Sequence, residues 1–165
     1  MPTEIFPFVT LIIGWILSEM GSWFKNYREE KARKRIRAEQ KLDERTGFQR
    51  QTLIDLQDGL FELAKLTGHF YSEDEMAYKQ SGVWGKNLGS DEESRKHQDI
   101  LIRTNVLMVR VADGKLREEV DGMRSLCTTI SIARSQEEAD QAFEEAKLLF
   151  AAINSHVGTL LRSTY

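Results

Sequence analysis

Apolar residues recur at alternating spacings of three and four along four stretches of the chain after residue 46. This is the periodicity with which an amphipathic α-helix presents one face to a core. Four such helices can bury their apolar faces only against one another, so the pattern predicts an all-α fold built on an antiparallel four-helix bundle. The predicted core faces are Gln49, Leu53, Leu56, Leu60, Leu63, Thr67 and Phe70 in the first helix, Leu101, Asn105, Met108 and Ala112 in the second (with Ile100, Leu107 and Val111 beside them), Leu116, Val120, Met123, Cys127 and Ile130 in the third, and Ala139, Phe143, Ala146, Phe150, Ile153, Val157 and Leu160 in the fourth.

Two capping boxes mark helix starts. Ser90 stands three residues before Glu93, and Ser135 stands three residues before Glu138. In such a pair the serine hydroxyl accepts a hydrogen bond from the first turn, while the carboxylate reaches back to the backbone N–H of the serine. The second and fourth helices are therefore expected to begin at residues 91 and 136.

The first bundle helix is expected to end near Tyr71, where a glycine and several acidic residues weaken the apolar pattern. The connection over residues 72–89 would then hold three glycines and Trp84. This is long for a bundle, in which about 2–8 residues are typical, and binding functions often reside on such loops. His69, Tyr71 and Trp84 are accordingly predicted to line a ligand or partner surface. The same aromatic side chains could instead close the end of the bundle, and both interpretations stay open.

The N-terminal segment shows a different pattern. Thirteen uncharged residues run from Ile5 to Leu17, and extension to Phe24 gives a stretch of about the 20 residues that cross a bilayer as a helix. Its one interior charge, Glu19, lies toward the end of the stretch, where headgroups and water are near. Residues 1–24 are therefore predicted to form a transmembrane anchor. The predicted lipid-facing residues are Phe8, Leu11, Ile12, Trp15, Ile16 and Trp23.

Residues 1–24 admit three other interpretations. A secretory signal peptide needs a positive start and a small-residue cleavage site, and neither is present. A buried core helix fits poorly beside the basic sequence that follows. A helix lying flat in the membrane interface stays open, because the apolar span is short.

Charge is segregated along the chain. Residues 1–24 carry a net charge of −2, residues 25–50 a net charge of +5 and residues 51–165 a net charge of −6. Because the flank rich in Lys and Arg stays in the cytoplasm, we expect a single-pass protein of the inner membrane with its N-terminus outside and its C-terminal domain cytoplasmic. The juxtamembrane basic residues are Lys25, Arg28, Lys31, Arg33, Lys34, Arg35 and Arg37.

Residues 25–45 consist almost wholly of strong helix formers with opposite charges at helical spacing, such as Glu30 and Lys34. Without an apolar stripe this helix has nothing to bury, and it is predicted to be a stalk between the anchor and a cytoplasmic bundle over residues 46–165. Acidic residues interspersed among the basic ones would repel phosphate, so nucleic acid is not an expected partner. Anionic lipid headgroups of the bilayer fit the basic run better.

The chain offers little that resembles catalytic chemistry. The three histidines show no metal-ligand spacing, the one cysteine lies on an apolar stripe, and no phosphate-binding or nucleophile motif is present. No metal, cofactor or catalytic residue is therefore predicted.

The layout resembles a diffuse group of small, uncharacterised bacterial membrane-anchored helical proteins. The resemblance covers most of the chain and rests on two segments, RQTLIDLQDGLFELAKLTG and RTNVLMVRVADGKLREEVDGM. It implies a bacterial single-pass helical protein and brings no activity with it. The matching residues are Arg50, Leu53, Leu56, Gln57 and Leu60, then Arg110, Val111, Asp113, Leu116 and Arg117.

These observations predict a membrane-tethered cytoplasmic helical bundle that serves as a protein-interaction or scaffolding module without catalysis. Its partners would be the bilayer, a protein of unknown identity and, in a homo-oligomer, further copies of the chain. The same observations leave two other functions open. One is a ligand-sensing regulatory bundle with a pocket near His69, Tyr71 and Trp84. The other is a membrane-acting oligomeric effector.

Overall fold

The structure, a computed structural model, describes the backbone of residues 6–85 and 90–163 and, within these ranges, the side chains from residue 30 onward except Ala32. The described residues form four α-helices and no strand: α1 (Phe6–Ser81), α2 (Asp91–Met108), α3 (Gly114–Ile132) and α4 (Gln136–Ser163). The all-α class and the four helices are therefore confirmed. The side chains of the predicted anchor, residues 1–24, lie outside the described residues. Among the residues described, no helix combines the length and the apolar character that a membrane crossing requires.

The chain divides into two units, Met1–Arg45 and Thr46–Tyr165. In the first unit the backbone is helical from residue 6 on, which agrees with the helix predicted over residues 25–45. The described side chains of this unit are all exposed. Lys34 Nζ lies 2.7 Å from Glu30 Oε1, as the i, i+4 spacing predicts, and this hydrogen bond lowers the pKa of Glu30.

The core of the second unit is formed by apolar stripes from its helices. In α1, Leu56 and Leu63 are fully buried. In α3 all five residues of the predicted stripe, from Leu116 to Ile130, are buried. In α4 the predicted residues are buried or packed against the core, and Ala142 joins them. The stripes of α1, α3 and α4 are therefore confirmed.

The core face of α2 differs from the prediction. Asn105, which is predicted for the core stripe, is exposed, and so is Ala112, which lies beyond the end of α2 at Met108. Two residues of the buried stripe, His97 and Thr104, are polar. The pattern of apolar residues does not include them, and the predicted face is therefore rotated about the helix axis relative to the buried one. Thr104 Oγ1 donates to the backbone oxygen of Ile100 at 2.6 Å, which satisfies the hydroxyl inside the core. The buried residues of α2 are His97, Ile100, Thr104 and Leu107.

Hydrogen bonds between the helices show that neighbours run antiparallel. As residue numbers rise along α1, the numbers of its partners fall along both α2 and α4. The bonded pairs are Gln49 with Arg110 and Thr67 with His97 toward α2, and Gln57 with Asn154 and Tyr71 with Asp140 toward α4. Because α1 contacts both α2 and α4, and α3 also packs against both, α2 and α4 lie at opposite corners of the bundle.

The prediction that the first bundle helix ends near Tyr71 is wrong, since α1 continues to Ser81. The added turns are supported by an ion pair between Lys79 and Glu75 at 2.8 Å, so the acidic residues stabilise the helix rather than ending it. The helix stops at Gly82, whose φ is +68° and whose N–H donates to the Tyr78 carbonyl at 2.8 Å. Glycine adopts this left-handed conformation without the penalty that a Cβ imposes. The connection therefore begins at residue 82 and not at residue 72.

Both capping serines begin helices as predicted, although only one pair forms the complete capping box. Ser90 Oγ accepts from the Glu93 N–H at 3.2 Å, and Glu93 Oε2 accepts from the Ser90 N–H at 3.0 Å. Ser135 Oγ accepts from the Glu138 N–H in the same way, whereas the Glu138 carboxylate accepts from the N–H of Arg134, one residue earlier. Each arrangement satisfies N–H groups that a helix start leaves without an intrahelical partner.

Candidate functional site

Trp84 is the centre of an aromatic cluster at the end of the bundle where α1 stops. Its ring lies 5.9 Å from the rings of both Tyr71 and Tyr78, and Tyr71 in turn stacks on Phe143 of α4 at 4.3 Å. Trp84 is only 9% exposed and packs with Ala133 and Ala139 of the α3–α4 junction. These four rings, here called the end cluster, therefore join the C-terminal turn of α1 to α4.

Tyr71 is tied to α4 by a polar contact as well. Its hydroxyl donates a short hydrogen bond to the Asp140 carboxylate. This bond, with burial of the ring as a smaller contribution, raises the pKa of Tyr71 to about 12. The phenol is therefore neutral at every physiological pH and acts as a donor that fixes the position of α1 against α4.

His69 does not join the end cluster, although the sequence grouped it with Tyr71 and Trp84. It lies on the α2 side of α1, where its Nε2 is 3.3 Å from carboxylate oxygens of both Glu73 and Glu93. Its side chain is half exposed. The structure thus brings Tyr71 and Trp84 together and places His69 in a separate polar contact between α1 and α2.

His97 is a buried polar residue that the sequence did not single out. Its Nε2 lies 3.3 Å from Thr67 Oγ1, and its ring meets Phe70 edge to face at 5.6 Å. Burial lowers the pKa of His97 below its usual value, so the ring is neutral at pH 7. A histidine on a core stripe is polar by type, and no pattern of apolar residues could have identified it.

The predicted juxtamembrane basic residues divide between described and undescribed parts of the chain. The side chains of Lys25 and Arg28, like those of the six predicted lipid-facing residues, lie outside the described residues. The side chains of Lys31, Arg33, Lys34, Arg35 and Arg37 are all exposed. Exposed cations on one helix are the feature that attraction to anionic lipid requires, and this role stays a prediction.

The side of α2 that faces away from the core carries a row of exposed apolar residues. Ile102, Val106 and Val109 recur at spacings of four and three and are 56%, 43% and 63% exposed. A helix that is apolar on the core side and again on the outer side is typical of an element covered on both sides. These three residues and the exposed cations beside them form what we call the α2 outer face. The cations are Arg95, Lys96, Arg103 and Arg110.

The corresponding side of α4 has the opposite charge. Leu148 is 74% exposed, and Ala151 and Ala152 are exposed one turn further on. Residues 137–147 carry five carboxylates against one lysine, while residues 95–110 carry four cations against Asp99 alone. The α4 outer face therefore combines one large apolar side chain and small ones with an acidic border. The exposed carboxylates of this border are Glu137, Glu138, Glu144 and Glu145.

Neither a metal-binding cluster nor an accessible thiol is found among the described side chains. The described side chains contain no group of three or more His, Cys, Asp or Glu residues placed to hold a metal ion. Cys127 is fully buried, and burial raises the pKa of its thiol. A buried, protonated thiol is a poor nucleophile.

Comparison of the chain with protein-family models, with curated proteins and with solved structures finds no match. The assignment of function therefore rests on the chain's own residues.

Proposed function

We propose that this protein is a membrane-tethered helical bundle that serves as an interaction module, and that its principal partner is a further copy of the same chain. Residues 1–24 would hold the chain in the inner membrane with its N-terminus outside, and the basic run after residue 24 would keep the bundle in the cytoplasm. The apolar stretch and the adjacent cations in the sequence support this tether. No catalytic step is included in the proposal.

The observation that carries the proposal is the complementarity of the α2 and α4 outer faces. One face is apolar with a basic border, and the other is apolar with an acidic border. Matched charges orient an encounter and disfavour other pairings, while exclusion of water from the apolar rows provides attraction. Because each copy carries both faces, each copy can contact one neighbour through its α2 outer face and another through its α4 outer face.

The geometry of the bundle determines what kind of assembly follows. The two faces lie on helices at opposite corners, so one copy can engage two neighbours at once. A contact between two different faces is heterologous, and it propagates into a ring or an open row. Three exposed apolar side chains on one helix make a small interface, which on its own is weak. Confinement to a membrane raises the effective concentration of copies and allows weak contacts to accumulate.

Energy transfer between labelled full-length copies in lipid vesicles tests the proposal. The label is placed on a cysteine introduced by Glu118→Cys, an exposed position on α3 outside both faces. Arg103→Glu and Glu144→Arg should each lower the transfer, because each places like charges across the contact. Both residues are exposed. Within the chain, Arg103 pairs with Glu62 at 3.5 Å and Glu144 pairs with Lys147 at 2.8 Å. Ion pairs on the surface, such as these, add little to the free energy of unfolding.

Mixing the two variants gives the decisive comparison. The reversed α2 face of one variant then meets the reversed α4 face of the other, so the mixture should regain transfer that neither variant shows alone. Lys115→Glu, an exposed charge change on α3, is the matched control and should leave transfer unchanged. Energy transfer that stays at the wild-type level in both Arg103→Glu and Glu144→Arg would contradict assembly through these faces.

Flotation tests the tether separately. The full-length chain should rise with vesicles through a density gradient, and removal of residues 1–24 should leave the remainder at the bottom. Co-flotation of both would show that the basic run alone suffices. Sedimentation of the full-length chain away from lipid would contradict the tether, without bearing on the contact between copies.

A further inference from the structure

An open groove of about 450 Å³ lies on the surface of the bundle between α3 and α4. The apolar part of its lining is Leu126 of α3 and Ala142 of α4, and Thr129 adds to the α3 side. Because the side chain of Ala142 ends at Cβ, it leaves space between the two helices that a larger residue would fill. The other lining residues are Ser135, Glu137, Glu138, Gln141 and Glu145.

The groove, here called the α3–α4 groove, adjoins the α4 outer face. Glu138 and Glu145 belong to the acidic border of that face and also line the groove. Leu148 follows Glu145 by three residues, so the two lie on the same side of α4 about one turn apart. A partner that covers the α4 outer face therefore reaches the groove as well.

The lining of the groove is acidic. It contains three carboxylates and neither a lysine nor an arginine. Glu137 and Glu145 form no ion pair with any described side chain, and Glu145 Oε1 accepts a hydrogen bond only from the neutral amide of Gln141, at 3.1 Å. Negative charges that are not neutralised within the chain attract a cationic partner.

The α2 outer face has the apolar pattern and the charge that such a groove requires. Its three exposed apolar residues recur at positions i, i+4 and i+7, the spacing with which an amphipathic helix anchors itself in a groove. Two of its cations, Lys96 and Arg110, form no ion pair with any described side chain. Arg103 has one weak contact, with Glu62 at 3.5 Å. The face is therefore apolar and carries cations that are available to a partner.

The charged residues of the two surfaces have equal spacing. Lys96, Arg103 and Arg110, here called the basic row, are seven residues apart, and so are Glu138 and Glu145. Seven residues make about two turns, or about 10.5 Å, so each set lies along one side of its helix. Two successive cations of the basic row can therefore lie opposite both carboxylates at the same time.

We propose that the α3–α4 groove of one copy receives the α2 outer face of a neighbouring copy, with the apolar residues of α2 against Leu126 and Ala142 and the basic row against Glu138 and Glu145. The inference rests on the proposed function and adds α3 to the contact. A helix that lies in a groove is covered from two sides, so more apolar surface leaves water than in a contact with α4 alone. The acidic lining selects a basic helix over an acidic one.

Two adjacent threonines of α3 provide a matched test. Thr129 lines the groove, whereas Thr128 is exposed and lies outside the lining. Each hydroxyl donates to the backbone oxygen four residues earlier, at 3.1 Å and 2.9 Å, so either substitution removes an equivalent local contact. Thr129→Arg places a bulky cation in the groove. It should raise the amount of full-length protein per lipid needed for half-maximal energy transfer in vesicles at least about tenfold, and Thr128→Arg should leave that amount unchanged.

Comparison with Glu144→Arg separates this inference from the proposed function. Glu144 belongs to the α4 outer face but does not line the groove. If Glu144→Arg lowers the transfer and Thr129→Arg does not, the groove is overturned as the receiving surface and assembly through the outer faces stands. No transfer between wild-type copies would contradict both.

Cysteine cross-linking covers the case in which Thr129→Arg fails to fold, because Thr129→Cys is a smaller change. On mild oxidation of membranes that contain this variant and Val106→Cys, dimers joining the two marks should form, and Thr128→Cys in place of Thr129→Cys should give none. The native Cys127 is buried and does not compete. Equal yields from the two threonine positions, or no dimer through Thr129→Cys, would overturn the proposal.

Discussion

The Tyr71 hydroxyl of α1 donates a short hydrogen bond to the Asp140 carboxylate of α4, while the ring above it stacks on Phe143 with an angle of 4° between the planes. The two helices are thus joined by one polar contact and one aromatic contact through a single side chain. Asp140 and Phe143 lie about 70 residues after Tyr71 in the sequence. The two contacts therefore link the first and last helices of the bundle.

The titration of Tyr71 should report this contact. Its pKa in the folded protein is about 12, above the value of about 10 in an unfolded chain. The contribution to stability is therefore complete below about pH 10 and is lost as the pH rises toward 12. The difference in phenolate absorbance between the wild type and Tyr71→Phe isolates this residue from the other tyrosines. Asp140→Asn should move its titration to lower pH, and an unchanged midpoint would contradict the bond to Asp140.

His97 should make the bundle less stable in mild acid. Its pKa is lowered by burial, so the unfolded chain binds a proton near pH 6.5 before the folded chain does. Stability is then full above about pH 6.5 and falls as the pH drops toward the folded-state value. Melting temperatures measured between about pH 7.5 and 5.5 should fall more steeply for the wild type than for His97→Gln. The exposed neighbour Gln98→Ala should retain the steep dependence, and parallel curves for all three would be evidence against a buried neutral histidine.

The burial of Leu56 on α1 and the exposure of Leu148 on α4 predict unequal costs for truncating the two leucines. Leu56 is fully buried, so Leu56→Ala should lower the free energy of unfolding by about 2–5 kcal/mol. Leu148 is 74% exposed, and Leu148→Ala should change the free energy of unfolding of the monomeric bundle by no more than about 0.5 kcal/mol. Guanidinium unfolding followed by circular dichroism measures both. Similar losses would mean that Leu148 is covered, contrary to the structure.

The complete capping box gives a smaller and more local prediction. Ser90→Ala removes the acceptor for the Glu93 N–H and should lower the free energy of unfolding by about 1 kcal/mol. Ser125→Ala, at an exposed position inside α3, is the control and should be close to neutral. A loss no larger than that of the control would indicate that another group caps α2.

The sequence predicts most accurately where residue type and environment agree. The α3 stripe from Leu116 to Ile130 is apolar at every position, and all five residues are buried. The α2 stripe includes His97 and Thr104, whose polar atoms are paired inside the protein. A pattern of apolar residues does not include a buried polar residue whose hydrogen-bond partner lies elsewhere in the chain. For this reason the predicted core face of α2 is rotated relative to the buried one.

The end of α1 illustrates a second limit. Acidic residues after Tyr71 resemble a helix end, yet the Glu75–Lys79 pair supports the helix, and Gly82 provides the stop. The sequence did identify Tyr71 and Trp84 as neighbours in a cluster. It could not supply Phe143 and Asp140, because their contact with Tyr71 depends on the packing of α4 against α1.

The outer faces show a third limit. Ile102, Val106 and Val109 are at helical spacing, and from sequence alone they are hard to distinguish from a widened core stripe. Only the orientation of α2 in the bundle shows that they are exposed. The pairing that we propose between this face and the acidic border of α4 in another copy depends on that orientation.

Cysteine cross-linking between full-length copies in membranes tests the central claim most directly. Val106→Cys marks the α2 outer face, Leu148→Cys marks the α4 outer face, and the native Cys127 is buried and does not compete. On mild oxidation of a mixture, heterotypic dimers joining the two marks should predominate over homotypic dimers, and an exposed α3 mark, Thr128→Cys, should cross-link to neither. Homotypic dimers alone, or equal yields at all three positions, would contradict assembly through the α2 and α4 outer faces.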